Sequence, residues 1–244
     1  AKRPRIHTFL GTSDIHIQKK FRSDRDKILQ WCVDTVKYAR SLCPDVEFST
    51  EDAARTDFEF LCRSVEAIVK AGATTINVPD TVGYATPIEM ADRIRRLKEK
   101  VPALDKAVIS MHCHNDLGLA TANTLAGILA GARQAEVTVN GIGERAGNAA
   151  LEEVVLAIRT RKEVFAGLYT GVNVKEISKT SKMVSALMGL PVQRNKAIVG
   201  ANAFAHSSGI HQDGILKDRS TYEIIRPEDV GVSAHTFTLT ARSG

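Results

Sequence analysis

Val69-Lys-Ala-Gly-Ala-Thr-Thr-Ile-Asn-Val78 reads as a helix end, a glycine stop and a β-rich run, and Leu129-Ala-Gly-Ala-Arg-Gln-Ala-Glu-Val-Thr-Val139 repeats it further along the chain. The repeat predicts that Gly72 and Gly131 supply the left-handed residue that ends a helix. A turn-rich polar stretch follows each copy, Pro79-Asp-Thr-Val-Gly83 and Asn140-Gly-Ile-Gly-Glu-Arg145, which is where a (β/α)8 barrel keeps its chemistry. Working outward, short apolar runs at residues 5–10, 45–49, 74–78, 107–111 and 136–139 read as strands, with roughly 30 to 40 residues per step as βα repeats require. Helical spacing fills the gaps at residues 24–41, 58–70 and 88–100, and again at 175–188. The competing open, doubly wound sheet wants a G-x-G-x-x-G turn after an early strand, and the sequence has none. Five strands fall short of eight, and the residues after Ala166 change character. The expectation is therefore α/β: an incomplete TIM barrel, about strands 4–8, over residues 1–166, followed by a small, mostly helical linker and subdomain over residues 167–244.

Composition limits the function classes. The 244 residues are 43% hydrophobic and 25% charged, which excludes disorder as a description of the whole. No hydrophobic run reaches the ~18 residues of a membrane span, and the first residues carry no signal-peptide pattern, so the expectation is a cytoplasmic chain with no membrane partner. Four cysteines without C-x-x-C spacing argue against a disulfide framework or zinc knuckle. The formal net charge of +5 is spread out; it suits an anionic small substrate and does not call for nucleic acid.

The strongest chemical signal is Met111-His-Cys-His-Asn-Asp116 at a strand end. Residues two apart on a strand share a face, so His112 and His114 can both point at one ion. Taken alone, the pair also fits one imidazole packed inside and the other at the surface. Glu47, Ser49 and Glu51 alternate with Val46 and Phe48 and form a polar set on one face, although Glu51-Asp52 equally suits the opening of the next helix. Thr81 can offer its hydroxyl to a carboxylate or simply form a turn. Asn148 closes a glycine-rich run that lets backbone approach a ligand, and within it Glu144 and Arg145 can pair with each other. Ala203 to Gly214 is dense in hydrogen-bonding groups and reads either as an arm over an active site or as a polar surface loop. His7 is ambiguous alone; Trp31 and Cys113 read as packing residues.

With His112-x-His114-Asn-Asp, Asn77-Val-Pro-Asp-Thr-Val-Gly83, Gly143-Glu-Arg-Ala-Gly-Asn148 and His206-Ser-Ser-Gly-Ile-His-Gln-Asp-Gly214 in this order, the sequence resembles the alpha-isopropylmalate/homocitrate synthase family from end to end. Phe204 to Lys217 looks most like the bacterial isopropylmalate members. The resemblance implies an acyltransferase that joins acetyl-CoA, the co-substrate, to 2-oxoisovalerate in leucine biosynthesis with a divalent metal, Mn²⁺, Mg²⁺ or Zn²⁺. It assigns His112, His114 and Asn148 to the metal, His7, Ser49 and Thr81 to the 2-oxo acid, and Glu51, His211 and Glu144 to catalysis. His211 lies on an arm that the partner subunit usually receives, which implies a homodimer. The family's Asp-x-x-Arg-Asp-Gly stretch on the first barrel strand has no match, nor has its carboxyl-terminal regulatory domain, so the expectation is a fragment. Alternatives within the family are citramalate and homocitrate synthesis; outside it stand a metal-dependent hydrolase barrel and an inactive remnant.

Overall fold

The structure is a computed structural model describing residues 1–232 and the backbone of residues 236–237. The rest of the expected second domain, residues 233–235 and 238–244, lies outside the described residues. The chain groups into two compact units. One comprises residues 1–137 with 143–149, the other residues 138–142 with those from 150 onward.

In the first unit, β1 (Ile6–Gly11), β2 (Val46–Glu51), β3 (Thr75–Asp80), β4 (Val108–Cys113) and β5 (Gln134–Glu136) form one parallel sheet in chain order. The helices between them are α1 (Arg25–Leu42), α2 (Phe58–Ala71), α3 (Pro87–Lys100) and α4 (Ala120–Ala130). The first three starts have a local cause. Asp24 and Asp57 accept the N–H groups of Lys27 and Phe60, and Thr86 with Glu89 forms a capping box behind Pro87. The repeat is borne out: α2 ends at Gly72 with φ 117° and α4 at Gly131 with φ 124°.

Strand parity decides what each face does. Phe48, Ile76, Val78, Ile109, Met111 and Cys113 are buried on the helix-covered face. Register places His7, Glu47, Ser49, Asn77, Ser110, His112, Gln134 and Glu136 on the other. That polar face is concave. Flat strands would hold β1 and β5 about 19 Å apart at the usual spacing, yet Arg5, just before β1, donates to Gln134 Oε1 on β5 at 2.7 Å, and both side chains donate to Glu47. The sheet therefore curls as part of a barrel wall does.

Several expectations change. The last strand ends at Glu136, not Val139, because Val139–Gly141 forms a helical turn in which Asn140 takes φ 64°. Trp31 is not packed away: it is 45% exposed on α1 beside the buried Ile28 and Cys32. Cys113 is buried as expected, and all four cysteines are free thiols.

In the second unit, α5 (Leu151–Thr160), α6 (Ile177–Met188) and α7 (Gly209–Lys217) accompany a short pairing of β6 (Ala205–His206) with β7 (Thr236–Phe237). Val155, Leu156, Val174, Ile177 and Val230 form its core. The polar run from Ala203 to Gly214 is thus largely ordered, ending within α7, and is not a surface loop throughout.

Candidate active site

At the carboxyl end of the sheet a cleft of about 180 Å³ is lined by His7, Ser49, Glu51, Thr81, His112 and His114, together with Phe9, Asn77, Pro79 and Glu136. Six residues selected from sequence are thus brought together by four strands. Parity is the reason: all lie at alternate positions, and the pleat turns every one inward.

His7 Nε2 and Ser49 Oγ are 2.7 Å apart, and Asn77 Nδ2 donates to the same hydroxyl at 2.8 Å. Glu51 accepts both of its hydrogen bonds from Lys20 at 2.8 Å, with His16 Nδ1 at 3.6 Å. It completes β2 and opens no helix; Asp52, which follows, takes φ 66° and begins the turn. The Thr81 hydroxyl accepts the Asp52 backbone N–H at 2.9 Å. Asp80, just before it, is fully buried and accepts the N–H groups of Tyr84 and Ala85 and the Asn123 amide. Burial raises its carboxyl above the ordinary range against the pull of those donors.

The His112 and His114 rings meet edge to face with centroids 4.9 Å apart. Burial lowers the affinity of His114 for a proton, as do neighbouring His112 and Arg145, so its imidazole tends to be neutral, the form that binds metals. Its Nδ1 is buried without a hydrogen-bond partner. An antiparallel backbone bridge sets Asn148 opposite His114, and Gly143 leaves no room for a Cβ against the Asn148 amide. Two imidazoles beside an amide suit a divalent ion as part of a ligand set. The set is incomplete: among the described residues, no three His, Cys, Asp or Glu side chains form a group that could hold an ion.

Two residues assigned to catalysis are not among those lining the cleft. Glu144 is exposed beyond the cleft lining, and Arg145 pairs not with it but with Asp116, at 2.7 Å. His211 belongs to the second unit, on α7, where it stacks on Tyr222 with centroids 4.0 Å apart.

Sequence reasoning missed Glu136. Its Oε2 lies 3.0 Å from His112 Nδ1 and its Oε1 accepts from Ser110 at 3.2 Å, while Glu47 sits close by. Burial and the Glu136 charge push Glu47 up to about 7. Burial also works against ionised Glu136, but the His112 hydrogen bond and Glu47 outweigh it and bring Glu136 down to about 2. Of the pair, Glu47 is therefore the group more readily protonated. One signal for Glu136 is present in the sequence: it stands five residues after Gly131, as Asn77 stands five after Gly72.

The HMGL-like family model matches residues 1–184, and that of the homocitrate synthase post-HMGL domain-like family matches residues 198–244. A 2-isopropylmalate synthase of Carboxydothermus hydrogenoformans is 59% identical over 100% of this chain and 48% of its own length. One from Methylococcus capsulatus is 58% identical over 100% of this chain and 47% of its own. The chain spans about half the length of the curated relatives it matches. Among solved structures, hydroxymethylglutaryl-CoA lyase from Pseudomonas aeruginosa matches with TM-score 0.63 and 21% identity, covering 77% of this chain and 64% of that one. The Brucella melitensis HMG-CoA lyase matches with TM-score 0.59 and 16% identity, covering 75% and 66%. These likenesses agree on a TIM-barrel fold, present here as an incomplete barrel of five strands. No helix among the described residues is long and apolar enough to cross a membrane. With three quarters of its length matched by one family model and its polar cleft at the strand ends of that fold, the chain belongs to the HMGL-like family.

Proposed function

We propose that the chain is the cleft-bearing part of a 2-isopropylmalate synthase, an acyltransferase that joins acetyl-CoA to 2-oxoisovalerate in leucine biosynthesis. One observation carries the reading: the residues that the family resemblance assigns to the 2-oxo acid, one of the three it assigns to catalysis (Glu51) and two of its metal ligands line a single cleft. Relatives of that name, 56–59% identical along the chain, support it over citramalate and homocitrate synthesis.

His112, His114 and Asn148 hold a divalent ion in this reading, with Mn²⁺ or Mg²⁺ ahead of Zn²⁺; when bound, the ion supplies Lewis acidity toward the 2-oxo carbonyl. The chain's own groups do the rest. His7 and Ser49, already hydrogen-bonded and steadied by Asn77, orient the oxygens of the 2-oxo acid. Thr81 closes the far side of that pocket. Glu51, held by Lys20, accepts a proton from the acetyl methyl group. The methyl carbon then bonds to the carbonyl carbon as the C=O π pair moves onto oxygen, which takes up a proton, and water cleaves the thioester and releases CoA. His211 and Glu144 complete the catalytic set. The division between a barrel part (1–166) and a linker and subdomain (167–244), the homodimer and a cytoplasmic location belong to the same proposal.

The test follows free CoA thiol with Mn²⁺, acetyl-CoA and a panel of 2-oxo acids. It uses this chain and the same chain carrying the remainder of the Carboxydothermus hydrogenoformans relative. Release with 2-oxoisovalerate above all others supports the reading. Release preferring pyruvate or 2-oxoglutarate, or none from either protein, refutes it.

A further inference from the structure

Among the described residues, Glu136 is the cleft carboxylate that meets an assigned metal ligand directly. Its Oε2 lies 3.0 Å from His112 Nδ1, and its Oε1 takes a second bond from Ser110 at 3.2 Å. Parallel register places Glu136 opposite His112, and Ser110 opposite Gln134, so both contacts are built into the β4–β5 pairing. Gln134 in turn donates to Ser110 and Glu47, and Arg5 to Glu47 and Gln134. This lattice crosses the concave face and leaves Glu136 few alternative positions.

From this geometry we infer that Glu136 is a positioning residue, fixing His112 as the Nδ1–H tautomer with its Nε2 lone pair directed into the cleft. A carboxylate that cannot donate at neutral pH obliges the ring nitrogen beside it to be the donor. The other nitrogen is then the free acceptor, as a metal-binding or electrophile-binding imidazole requires. His114 has no such carboxylate; its Nδ1 is buried without a partner. The two imidazoles are therefore unequal: a carboxylate presets His112 and none presets His114 among the described residues. The purpose of the device rests on the proposed metal role of His112, but the tautomer does not.

The test labels the histidine rings of the full chain with ¹⁵N and assigns the tautomer of His112 by long-range ¹⁵N–¹H correlation at about pH 9, where imidazoles are neutral. Mn²⁺ affinity is measured by electron paramagnetic resonance on this chain carrying the remainder of the Carboxydothermus hydrogenoformans relative, with and without the same substitutions. The wild type shows Nδ1–H at His112. Glu136→Gln keeps it through the amide oxygen, and Glu136→Ala shifts it toward Nε2–H while weakening Mn²⁺ binding by about 10–100-fold. Nε2–H at His112 in the wild type, or a tautomer unmoved in Glu136→Ala, overturns the inference. The expected tautomers, with no Mn²⁺ bound even by the completed chain, uphold the positioning and count against the proposed synthase reading, so the two failures are distinguishable.

Discussion

Gly127 lies on the buried face of α4 directly behind Met111, the residue that precedes His112. A Cβ at this position would meet the Met111 side chain along its length, including Cγ at 2.8 Å. Ordinary carbon contacts lie at about 3.5–4.0 Å. Met111 cannot simply swing its end away, because Cγ sits one bond from Cβ and the side chain is fully buried. Two terms compete in Gly127→Ala: relief of the helix penalty for glycine, about 1 kcal/mol, and overpacking, about 1–3 kcal/mol. With Cγ as well as the thioether in the way, overpacking wins, and a net loss of about 1–2 kcal/mol is expected. In a Met111→Ala background, itself costing about 2–5 kcal/mol, the obstruction is gone and the sign reverses: Gly127→Ala stabilises by about 1 kcal/mol. Urea unfolding of the four proteins closes this double-mutant cycle, with a coupling of about 2–3 kcal/mol expected. An equal effect of Gly127→Ala in both backgrounds would refute the reasoning, since the glycine would then not be answering to Met111.

Asp80→Ala removes the acceptor of the Tyr84 and Ala85 N–H groups, while Asn123 keeps the Ala85 carbonyl. Two orphaned donors predict a loss of about 2–5 kcal/mol in urea unfolding, and a loss below about 1 kcal/mol contradicts the account. The Glu47–Glu136 pair gives a pH signature. Glu47 is raised from 4.5 to about 7, so its contribution to stability is complete below pH 4.5 and disappears as pH rises through about 7. Glu136, lowered from 4.5 to about 2, contributes above pH 4.5 and is lost as pH falls toward 2. Glu47→Gln mimics the protonated carboxyl, so wild-type stability relative to this variant should fall by up to about 3 kcal/mol between pH 4.5 and 8. A constant difference over that interval rejects the proton assignment.

Local signals in the sequence carried most of the wall. Glycine stops, helix caps and period-two alternation are short-range, and they locate four strands to within a few residues, as well as the face shared by Ser49 and Glu51 and that shared by His112 and His114. The fifth strand was misplaced because Val137-Thr-Val139 has β propensity, while β4 pairs only as far as Glu136 before the chain turns at Asn140. Arg145 chose Asp116 over its neighbour Glu144 because the turns after β4 and β5 bring Asp116 into range. The Glu136–His112 contact was not legible from either segment alone, for it depends on parallel register across residues far apart in sequence. Trp31 has a large apolar side chain, but its place on α1 lies outside the stripe of Ile28, Cys32, Val36 and Ala39 that faces inward.

The most direct test of the proposed condensation follows the new carbon–carbon bond. Acetyl-CoA labelled with ¹³C in the methyl group is incubated with 2-oxoisovalerate and Mn²⁺, using this chain carrying the remainder of its relative, and the products are read by ¹³C NMR. The account predicts the label in the methylene carbon of 2-isopropylmalate, and its absence from that product when His112 and His114 are both replaced by alanine. Label that remains in acetyl-CoA or passes only to acetate, or 2-isopropylmalate formed equally well without the two histidines, would contradict it.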